Sequence, residues 1–412
     1  MRWKKQKLES LASDEPYSFI GGPFGSKLTM RDYQEEGIPV IRGSNMNNGR
    51  FLDMSDFVFV SDSKVREDLS SNLAKPGDLI FTQRGTLGQV ALIPDKGISD
   101  RYVVSQSQMK LTVDENKANR LFLYYYLSSH EAIERIQSFI SSSGVPHINL
   151  TVMRNFEVPV PPIQTQHAIA SILSSYDDLI ENNLQRIQLL EQAAQLFYKE
   201  WFVHLRFPGH EYTKTTNSLP EGWETGTIVD IGEVVTGKTP SKQRDSFYGN
   251  DVPFIKTPDM HGNIIVIDTE EYLSTEGANS QSNKTLPPRS ILVSCIGTVG
   301  VVAFNATIAQ TNQQINAIIP KSESLRYWTF FMAKDLQPLL EGIGGGVTMP
   351  NVNKSKFSSI HVVIPSQKVL DQFNLIVAPN INLIERLELM NKLLKQARDF
   401  LQPRLMNGEV PV

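Results

Sequence analysis

The chain has 412 residues, and at roughly 100–200 residues per domain this length predicts several cores rather than one. Hydrophobic residues make up 40% and charged residues 20%, which excludes a disordered or fibrous chain, and no stretch approaches the ~20 apolar residues of a membrane helix. The net charge of −4 excludes a polycation, and the single cysteine, Cys295, excludes a disulfide framework. Without a secretory leader, the expected location is the cytoplasm, away from membranes.

The first predicted element is a β-rich domain over residues 1–160. Short runs of β-branched and aromatic residues, such as FVFV at 57–60, alternate with Gly, Pro, Asn and Asp. Residues 121–139 form a helical patch that is apolar on all sides, a pattern that favours a buried packing helix.

A long helix is predicted next, over residues 161–203. It follows the Pro161-Pro162 pair, contains no glycine after it, and repeats apolar residues at steps of three and four, as in a coiled-coil seam. At ~1.5 Å per residue it would be about 60 Å long. The predicted seam consists of Leu173, Tyr176, Ile180, Asn183, Ile187, Leu190, Ala194, Phe197 and Trp201.

After a linker over residues 204–222, rich in Pro, Gly and Asn, the same order of elements begins again. Phrases of the first half return in the second half in the same order, with small changes of spacing that place insertions in loops. A second β-rich domain is therefore predicted over residues 223–364, with its helical patch at 325–340. The matched pairs include Trp3 and Trp223, Pro39 and Pro253, Gly85 and Gly297, Asn149 and Asn351, and Leu190 and Leu394.

A second long helix is predicted over residues 365–405. Its seam continues the apolar period through Val377, Ile384, Leu387, Asn391, Leu394 and Leu401. Pro379 interrupts this pattern, and we expect it to kink or restart the helix because proline lacks an N–H donor. Asn183 and Asn391 each allow two interpretations, a buried polar residue that fixes the register or a side chain that faces solvent.

Sequence motifs of the common catalytic sites are absent. The chain has no GxxxxGK[ST] loop, no HExxH, no GxSxG, no pair of cysteines, and no Asn/Asp-Pro-Pro-aromatic tetrapeptide with which amino-methyltransferases hold a flipped base. None of the seven histidines stands at metal-ligand spacing with a second ligand. We therefore predict a non-enzymatic chain without catalytic residues, metal or cofactor of its own.

The recurring phrases are similar to those of one known family. A proline turn opens each long helix, VPPI at 160–163 and VIP at 363–365, and LPEGW at 219–223 opens the second copy. Together with the GDLI string at 77–80 and the Gly-Thr-x-Gly strings, these features closely resemble the specificity subunit of type I restriction–modification systems. The resemblance covers essentially the whole chain.

This resemblance implies an α+β fold with two β-rich target recognition domains in a tandem pseudo-repeat. Each domain is followed by a long helix, and the two helices pack as an antiparallel coiled coil. The implied protein reads a bipartite, asymmetric site on double-stranded DNA and docks two methyltransferase subunits, which restriction endonuclease/translocase subunits join. S-adenosylmethionine and ATP/Mg are expected on those partners. The GGPFGSK loop at 21–27 has no close counterpart at 237–240, which suits two domains that read different sequences.

Residues that contact DNA are expected among loop side chains that can distinguish base edges. Arg and Lys recognise guanine and Asn and Gln recognise adenine, although each such residue is more often a solvated or turn-stabilising side chain. The candidates in the first domain are Lys27, Arg42, Gln83, Arg84, Gln106, Gln108, His147 and Asn149. Those in the second domain are Lys238, Lys242, Lys256, Gln310, Asn312, Gln313, Thr348 and Asn351.

Two other classes of function remain open from the residues alone. One is a scaffold whose β-domains bind carbohydrate or peptide, and the other is a stand-alone methyltransferase with an unrecognised cofactor site. Sequence-specific duplex binding together with methyltransferase partners would exclude the scaffold. Failure of the chain to bind S-adenosylmethionine by itself would exclude the methyltransferase.

Overall fold

The computed structural model describes residues 3–46, 49–139, 146–216, 218–344 and 351–412. The chain divides into two compact units. The first unit is Met1–Ile180 with Leu393–Val412, and the second unit is Glu181–Lys392. Each unit combines one β-rich domain with parts of both long helices.

The β-rich part of the first unit contains sheets with the strand orders β2-β9-β6-β7, β4-β3-β8-β5 and β1-β10. β6 and β9 are buried on both faces, and the one ammonium group there, that of Lys110, lies 3.1 Å from the carboxylate of Asp78. The strands are β1 Lys4–Lys7, β2 Phe19–Gly21, β3 Ile38–Ile41, β4 Val58–Val60, β5 Leu73–Ala74, β6 Leu79–Thr82, β7 Val90–Leu92, β8 Tyr102–Val104, β9 Gln108–Leu111 and β10 Glu157–Val160.

The predicted helical patch at 121–139 forms two helices instead of one. The break falls at Ser128 and Ser129, because the Ser129 hydroxyl accepts a hydrogen bond from the Ala132 N–H and caps the second helix. The first of the two is almost wholly buried, as predicted. The helices that begin in this unit are α1 Asp62–Lys64, α2 Arg120–Leu127, α3 His130–Gln137, α4 Leu150–Arg154 and α5 Ile163–Tyr198.

The β-rich part of the second unit contains sheets with the orders β14-β21-β18-β19-β16, β17-β15-β20 and β13-β22, with β11-β12 in the linker. The strands are β11 Thr215–Thr216, β12 Leu219–Pro220, β13 Glu224–Thr227, β14 Gly232–Thr236, β15 Tyr248–Ile255, β16 Ile265–Val266, β17 Tyr272–Leu273, β18 Ile291–Ser294, β19 Val302–Asn305, β20 Gln310–Thr311, β21 Ile315–Pro320 and β22 His361–Ile364. The helices are α6 Ile228–Ile231, α7 Thr257–Met260, α8 Thr275–Asn279, α9 Arg326–Asp335, α10 Gln337–Ile343, α11 Lys354–Ser358 and α12 Gln367–Met406.

Strand pairing confirms the tandem repeat and corrects one of its predicted matches. The parallel pair β3·β8 corresponds to β15·β20, and the antiparallel pair β6·β9 corresponds to β18·β21. Asn149 caps α4 and Asn353 caps α11, each by accepting a backbone N–H at 2.9 Å. The counterpart of Asn149 is therefore Asn353, and the predicted match with Asn351 is wrong because the cap determines the alignment there.

α12 continues through Pro379, so the predicted restart of this helix is wrong. Val377 and Ile381, on either side of the proline, are fully buried, and this burial favours a continuous helix. Pro379 and Leu375 are exposed, so the carbonyl that loses its N–H donor lies on the solvated side of the helix.

The long helices pack antiparallel within each unit. In the first unit Asp177 of α5 is paired with Arg398 of α12. In the second unit the Asn183 Nδ2 donates to the Asn391 Oδ1 at 2.8 Å, and Trp201, just beyond α5, packs against Phe373. Asn183 and Asn391 are 3% and 5% exposed, so both amides are buried.

Most of the predicted seam residues are at least partly buried. Phe197 is 38% exposed, and its neighbour Tyr198 is buried, so the predicted seam position of Phe197 is corrected to Tyr198. The seam residues that are buried are Leu173, Ile180, Asn183, Ile187, Ala194, Trp201, Val377, Ile384, Leu387 and Asn391, and those of intermediate burial are Tyr176, Leu190, Leu394 and Leu401.

No helix within the described ranges is long and apolar enough to cross a membrane.

Candidate nucleic-acid interface

Three loop segments of the first unit are joined by backbone hydrogen bonds beyond the end of β6. The Gln83 N–H donates to the Ser107 carbonyl at 2.7 Å, and the Ile148 N–H donates to the Gln83 carbonyl at 3.0 Å. The Gly85 N–H donates to the Pro146 carbonyl at 3.1 Å. We call residues 83–85, 105–107 and 146–149 the first loop junction.

The second unit repeats this arrangement beyond the end of β18. The Cys295 N–H donates to the Gln314 carbonyl at 2.7 Å, and the Val352 N–H donates to the Cys295 carbonyl at 2.8 Å. Residues 295–297, 312–314 and 351–353 form the second loop junction. Because the same backbone bonds recur, the two junctions are equivalent supports that can carry different side chains.

A glycine-containing loop lies against each junction. A Cβ on Gly22 would lie 1.9 Å from the Ser105 carbonyl oxygen, and a Cβ on Gly237 would lie 2.2 Å from that of Asn312. Both positions therefore require glycine. Gly22 and Gly237 are thus equivalent positions, while the rest of the loop at 21–27 differs in sequence from residues 237–240.

Two predicted DNA contacts are buried and cannot reach a ligand. Gln108 and Gln310 are 0% exposed. The Gln108 Oε1 accepts from the Ser105 hydroxyl, and the Gln310 Nε2 donates to the Ala278 carbonyl at 2.9 Å. Both side chains stabilise the interior, so their assignment as DNA-binding residues is corrected. An amide-rich sequence does not reveal which amides point inwards.

Several other candidates are engaged in local interactions. Arg42 is paired with Asp56 at 3.3 Å, and Lys256 is paired with Glu271 at 2.5 Å. Asn149 caps a helix, and Asn312 bonds Gln314 within its turn. In this structure these side chains are occupied by intramolecular partners and stabilise the segments in which they lie.

Gln106 and Gln313 occupy equivalent positions and hold the glycine-containing loops. The Gln106 Nε2 donates to the Gly25 carbonyl at 2.6 Å, while the Gln313 Oε1 accepts from the Thr239 hydroxyl at 2.7 Å. Each glutamine therefore links its loop junction to the neighbouring loop.

Thr348 lies outside the described residues. The other remaining candidates have no ion pair or side-chain hydrogen bond to any part of the chain that the structure describes. Gln83 is half-buried. The exposed members are Lys27, Arg84 and His147 in the first unit and Lys238, Lys242 and Asn351 in the second unit.

Ile296 is a residue that sequence reasoning missed. It occupies the position of Arg84, because both residues directly precede a Gly-Thr-x-Gly string, at 85–88 and 297–300. That string was a usable signal, but isoleucine is not a residue type that suggests base recognition. The adjacent Cys295 is buried, and burial raises the pKa of its thiol to about 11, which keeps it neutral and unreactive near neutral pH.

Nothing in the described ranges groups three or more His, Cys, Asp or Glu residues as a metal site. The side chains exposed at the loop junctions offer positive charge, amides and apolar surface.

Comparison with protein families identifies the chain. The model of the type I restriction modification DNA specificity domain matches it twice, at residues 20–192 and 220–385. The chain belongs to this family. It is a specificity subunit that recognises DNA sequence, and catalysis lies in other subunits of such systems. The alternatives of a carbohydrate- or peptide-binding scaffold and of a stand-alone methyltransferase are thereby removed.

Relatives and a solved structure agree with this assignment. The HindI specificity subunit of Haemophilus influenzae is 31% identical, over 90% of this chain and 94% of that protein. The MjaIX specificity subunit of Methanocaldococcus jannaschii is 22% identical, over 100% of this chain and 94% of that protein. The S subunit of a type I system from M. genitalium has the same fold, with a TM-score of 0.58 and 16% identity over 98% of this chain and 96% of that one. The predicted fold class is confirmed.

Proposed function

We propose that this specificity subunit reads a bipartite, asymmetric DNA site, one half with residues 1–160 and the other with residues 223–364. The observation that carries the proposal is the pair of loop junctions, which share their backbone hydrogen bonds and differ in their exposed side chains. Contacts to the phosphates and sugars of DNA position a protein on the duplex, whereas side chains that contact base edges specify the sequence. Two equivalent supports with different side chains suit two different half-sites.

The charge distribution supports recognition within a larger complex. The net charge is −4, so neutralisation of many phosphates by this chain alone is not available as a source of affinity. We propose that two methyltransferase subunits supply further contacts to double-stranded DNA, and that restriction endonuclease/translocase subunits bind through them. S-adenosylmethionine and ATP/Mg belong to those partners, and the complex acts on DNA in the cytoplasm.

The surfaces of the long helices suit the docking of the methyltransferases. Large apolar side chains that the chain itself leaves exposed lie along both helices, and exposed apolar surface is typical of protein interfaces. In this proposal residues 161–203 and 365–405 are the spacer helices, and residues 204–222 are the linker between the two copies. The exposed side chains are Leu179, Leu184, Leu189 and Leu196 on α5 and Leu375, Leu389, Leu393 and Phe400 on α12.

A domain exchange tests the proposal. Residues 1–160 are replaced by the corresponding domain of the H. influenzae relative, the chimera is co-expressed with the methyltransferase subunits of this system, and methylated adenines are mapped across the genome. We expect one half of the methylated motif to change and the other half to persist.

The reciprocal chimera, with residues 223–364 replaced, is the matched control and should change only the other half. A change of both halves by one exchange, in a complex that still assembles, would contradict two independent readers. The chain without methyltransferase subunits should transfer no methyl group. Methyl transfer by the chain alone would refute the proposal that the partner subunits carry out catalysis.

A further inference from the structure

Each loop junction contains one pair of residues that face each other across an isolated antiparallel bridge. Arg84 faces His147 in the first junction, and Ile296 faces Asn351 in the second. Residues directly opposite in such a bridge have side chains on the same side, with Cβ atoms about 4.5–5.5 Å apart. We call them the first and second facing pairs. At both positions of the pair the equivalent junctions carry different side chains.

The first facing pair is exposed and presents hydrogen-bond donors. Among the described residues, neither the Arg84 guanidinium nor the His147 ring has an ion pair or side-chain hydrogen bond. A free guanidinium fork matches the two acceptors of guanine, O6 and N7, in the major groove. The other candidates of this junction are less available, because Gln106 holds a loop and Asn149 caps a helix.

The second facing pair has a different chemistry. Asn351 is exposed, and its side-chain amide can donate and accept at once, as recognition of adenine N6 and N7 requires. Ile296 is partly exposed beside it and can contact only an apolar group, for which the thymine methyl is the major-groove partner. This pair carries no positive charge with which to select guanine.

We propose that the facing pairs are specificity determinants: Arg84 with His147 selects a guanine in one half-site, and Asn351 with Ile296 selects an A·T step in the other. This inference rests on the proposed function, because it names the bases that the two proposed readers distinguish. Arg84 is the residue expected to make the strongest contact, since a bidentate arginine–guanine pair is the commonest specific contact in protein–DNA complexes.

The test uses the complete complex with its methyltransferase subunits and the variants R84Q and R84K. Mapping of methylated adenines should show that R84Q loses the requirement for one guanine in one half-site, with the other half-site unchanged. R84K keeps the charge but not the fork, and because lysine can also contact guanine, it should retain more of the guanine preference than R84Q does. An unrelaxed motif with R84Q would overturn the assignment.

Replacing the guanine by 7-deazaguanine in a duplex of the recognised sequence isolates the N7 contact. With the wild-type complex we expect binding to weaken roughly 5- to 100-fold, and with R84Q the same replacement should have no further effect. If R84Q instead weakens binding to all duplexes equally and lowers the slope of log K against log salt by about one, Arg84 contacts a phosphate and the proposal fails.

R31Q is the matched control, because Arg31 is exposed, lies outside the loop junctions, and has no ion pair within the described ranges. R31Q should leave the methylation motif unchanged. If R31Q relaxes the motif as R84Q does, the proposal that Arg84 itself contacts the guanine is wrong. N351A should relax only the other half-site, and relaxation of the guanine half by N351A would also overturn the pairing.

The wild-type methylation motif distinguishes failure of the proposed function from failure of the Arg84 assignment. If the wild-type complex has no two-part methylation motif, the bipartite reading itself fails. If the wild-type motif is bipartite but contains no guanine in the half-site that follows residues 1–160 in a domain exchange, only the assignment of Arg84 fails.

Discussion

The two units differ in chemistry at one repeat-related position of the long helices, which is Asp177 in the first unit and Ile381 in the second. In the first unit Asp177 binds Arg398 and accepts the Tyr125 hydroxyl at 2.6 Å, and Arg50 binds Asp178. Counted from the first residues of the helices, Ile163 and Gln367, Asp177 corresponds to Ile381. Ile381 is fully buried among apolar residues that include Phe373. This position, which we call the helix joint, is therefore ionic in one unit and apolar in the other. Elsewhere the second unit also has ion pairs between its long helices and its β-rich domain, such as Arg289 with Glu385.

The difference has physical consequences for stability. An ionic network is directional and depends on each partner, because a buried charge that loses its partner keeps its desolvation cost. Burial and the charge of Asp177 raise the pKa of the Tyr125 hydroxyl, so this hydroxyl stays protonated and donates to Asp177. An apolar joint is non-directional and tolerates substitutions of similar volume. We therefore expect the helix joint of the first unit to be more sensitive than that of the second to a substitution of similar volume.

The largest effect is expected from R398A in the first unit. Removal of the guanidinium leaves Asp177 buried without its cationic partner, at a cost of about 3–5 kcal/mol to the stability of that unit. Hydrogen exchange followed on peptides of each unit measures this loss separately. R386A, at an exposed arginine on the same helix, is the control and should change neither unit. Equal losses in both units would contradict the comparison.

A triple variant tests whether the ionic joint can be made apolar. D177I with R398A introduces the residues found at the corresponding positions of the second unit, Ile381 and Ala194, and Y125F removes the hydroxyl that would lose its acceptor. Apolar replacement of a buried network is often neutral or stabilising by about 1–4 kcal/mol. We expect this variant to recover most of the stability that R398A loses and to unfold with little dependence on salt. If hydrogen exchange shows no recovery of the stability of the first unit, apolar packing cannot replace the ionic network at this position.

The second unit contains a partly buried carboxyl on α12, that of Glu388, and pH should reveal its contribution to stability. Burial raises the pKa of Glu388 to about 8, and the nearby charges of Glu385 and Glu191 add to the shift. In the unfolded chain this carboxyl ionises near its ordinary value of 4.5, so the folded state binds the extra proton between these values. The second unit should therefore lose stability as pH rises from about 4.5 to 8.

E388Q should remove this dependence and stabilise the second unit at pH 8 by on the order of 1–3 kcal/mol. Near pH 4 it should match the wild type. Thermal unfolding across this pH range measures both effects. E181Q, at an exposed glutamate on α5, is the control. An E388Q protein with the pH profile of the wild type would show that Glu388 is not the responsible group.

The smallest effect concerns the asparagine pair of the seam. N183L leaves the Asn391 amide buried without its partner and should cost about 1–2 kcal/mol. N183L with N391I introduces the residue types of the repeat-related positions, Leu387 and Ile187, and should restore stability. Chemical denaturation followed by circular dichroism measures both, with Q185L on the exposed side of α5 as the control. If the double variant is no more stable than N183L, the two amides contribute to stability by more than their hydrogen bond to each other.

The division of the chain into repeated elements was predictable because it depends on local signals. Hydrophobic periodicity, proline turns and the Gly-Thr-x-Gly strings are properties of neighbouring residues, and they predicted the β-rich domains, the long helices and their order. Family membership followed from the same phrases. These features survive divergence between the copies because each is required by the local geometry of a turn or a helix face.

The roles of individual side chains were decided by tertiary structure. Gln108 and Gln310 resemble base-reading residues in sequence but point into cores, while Ile296, which has no such signature, faces Asn351 at a loop junction. Pro379 stays within a helix because distant residues bury the turns on either side of it. The sequence by itself predicted the two β-rich domains, the two long helices and their order along the chain. Which polar groups remain free to contact DNA depends on partners far away in the chain, because only packing determines whether a donor is buried, bonded or exposed.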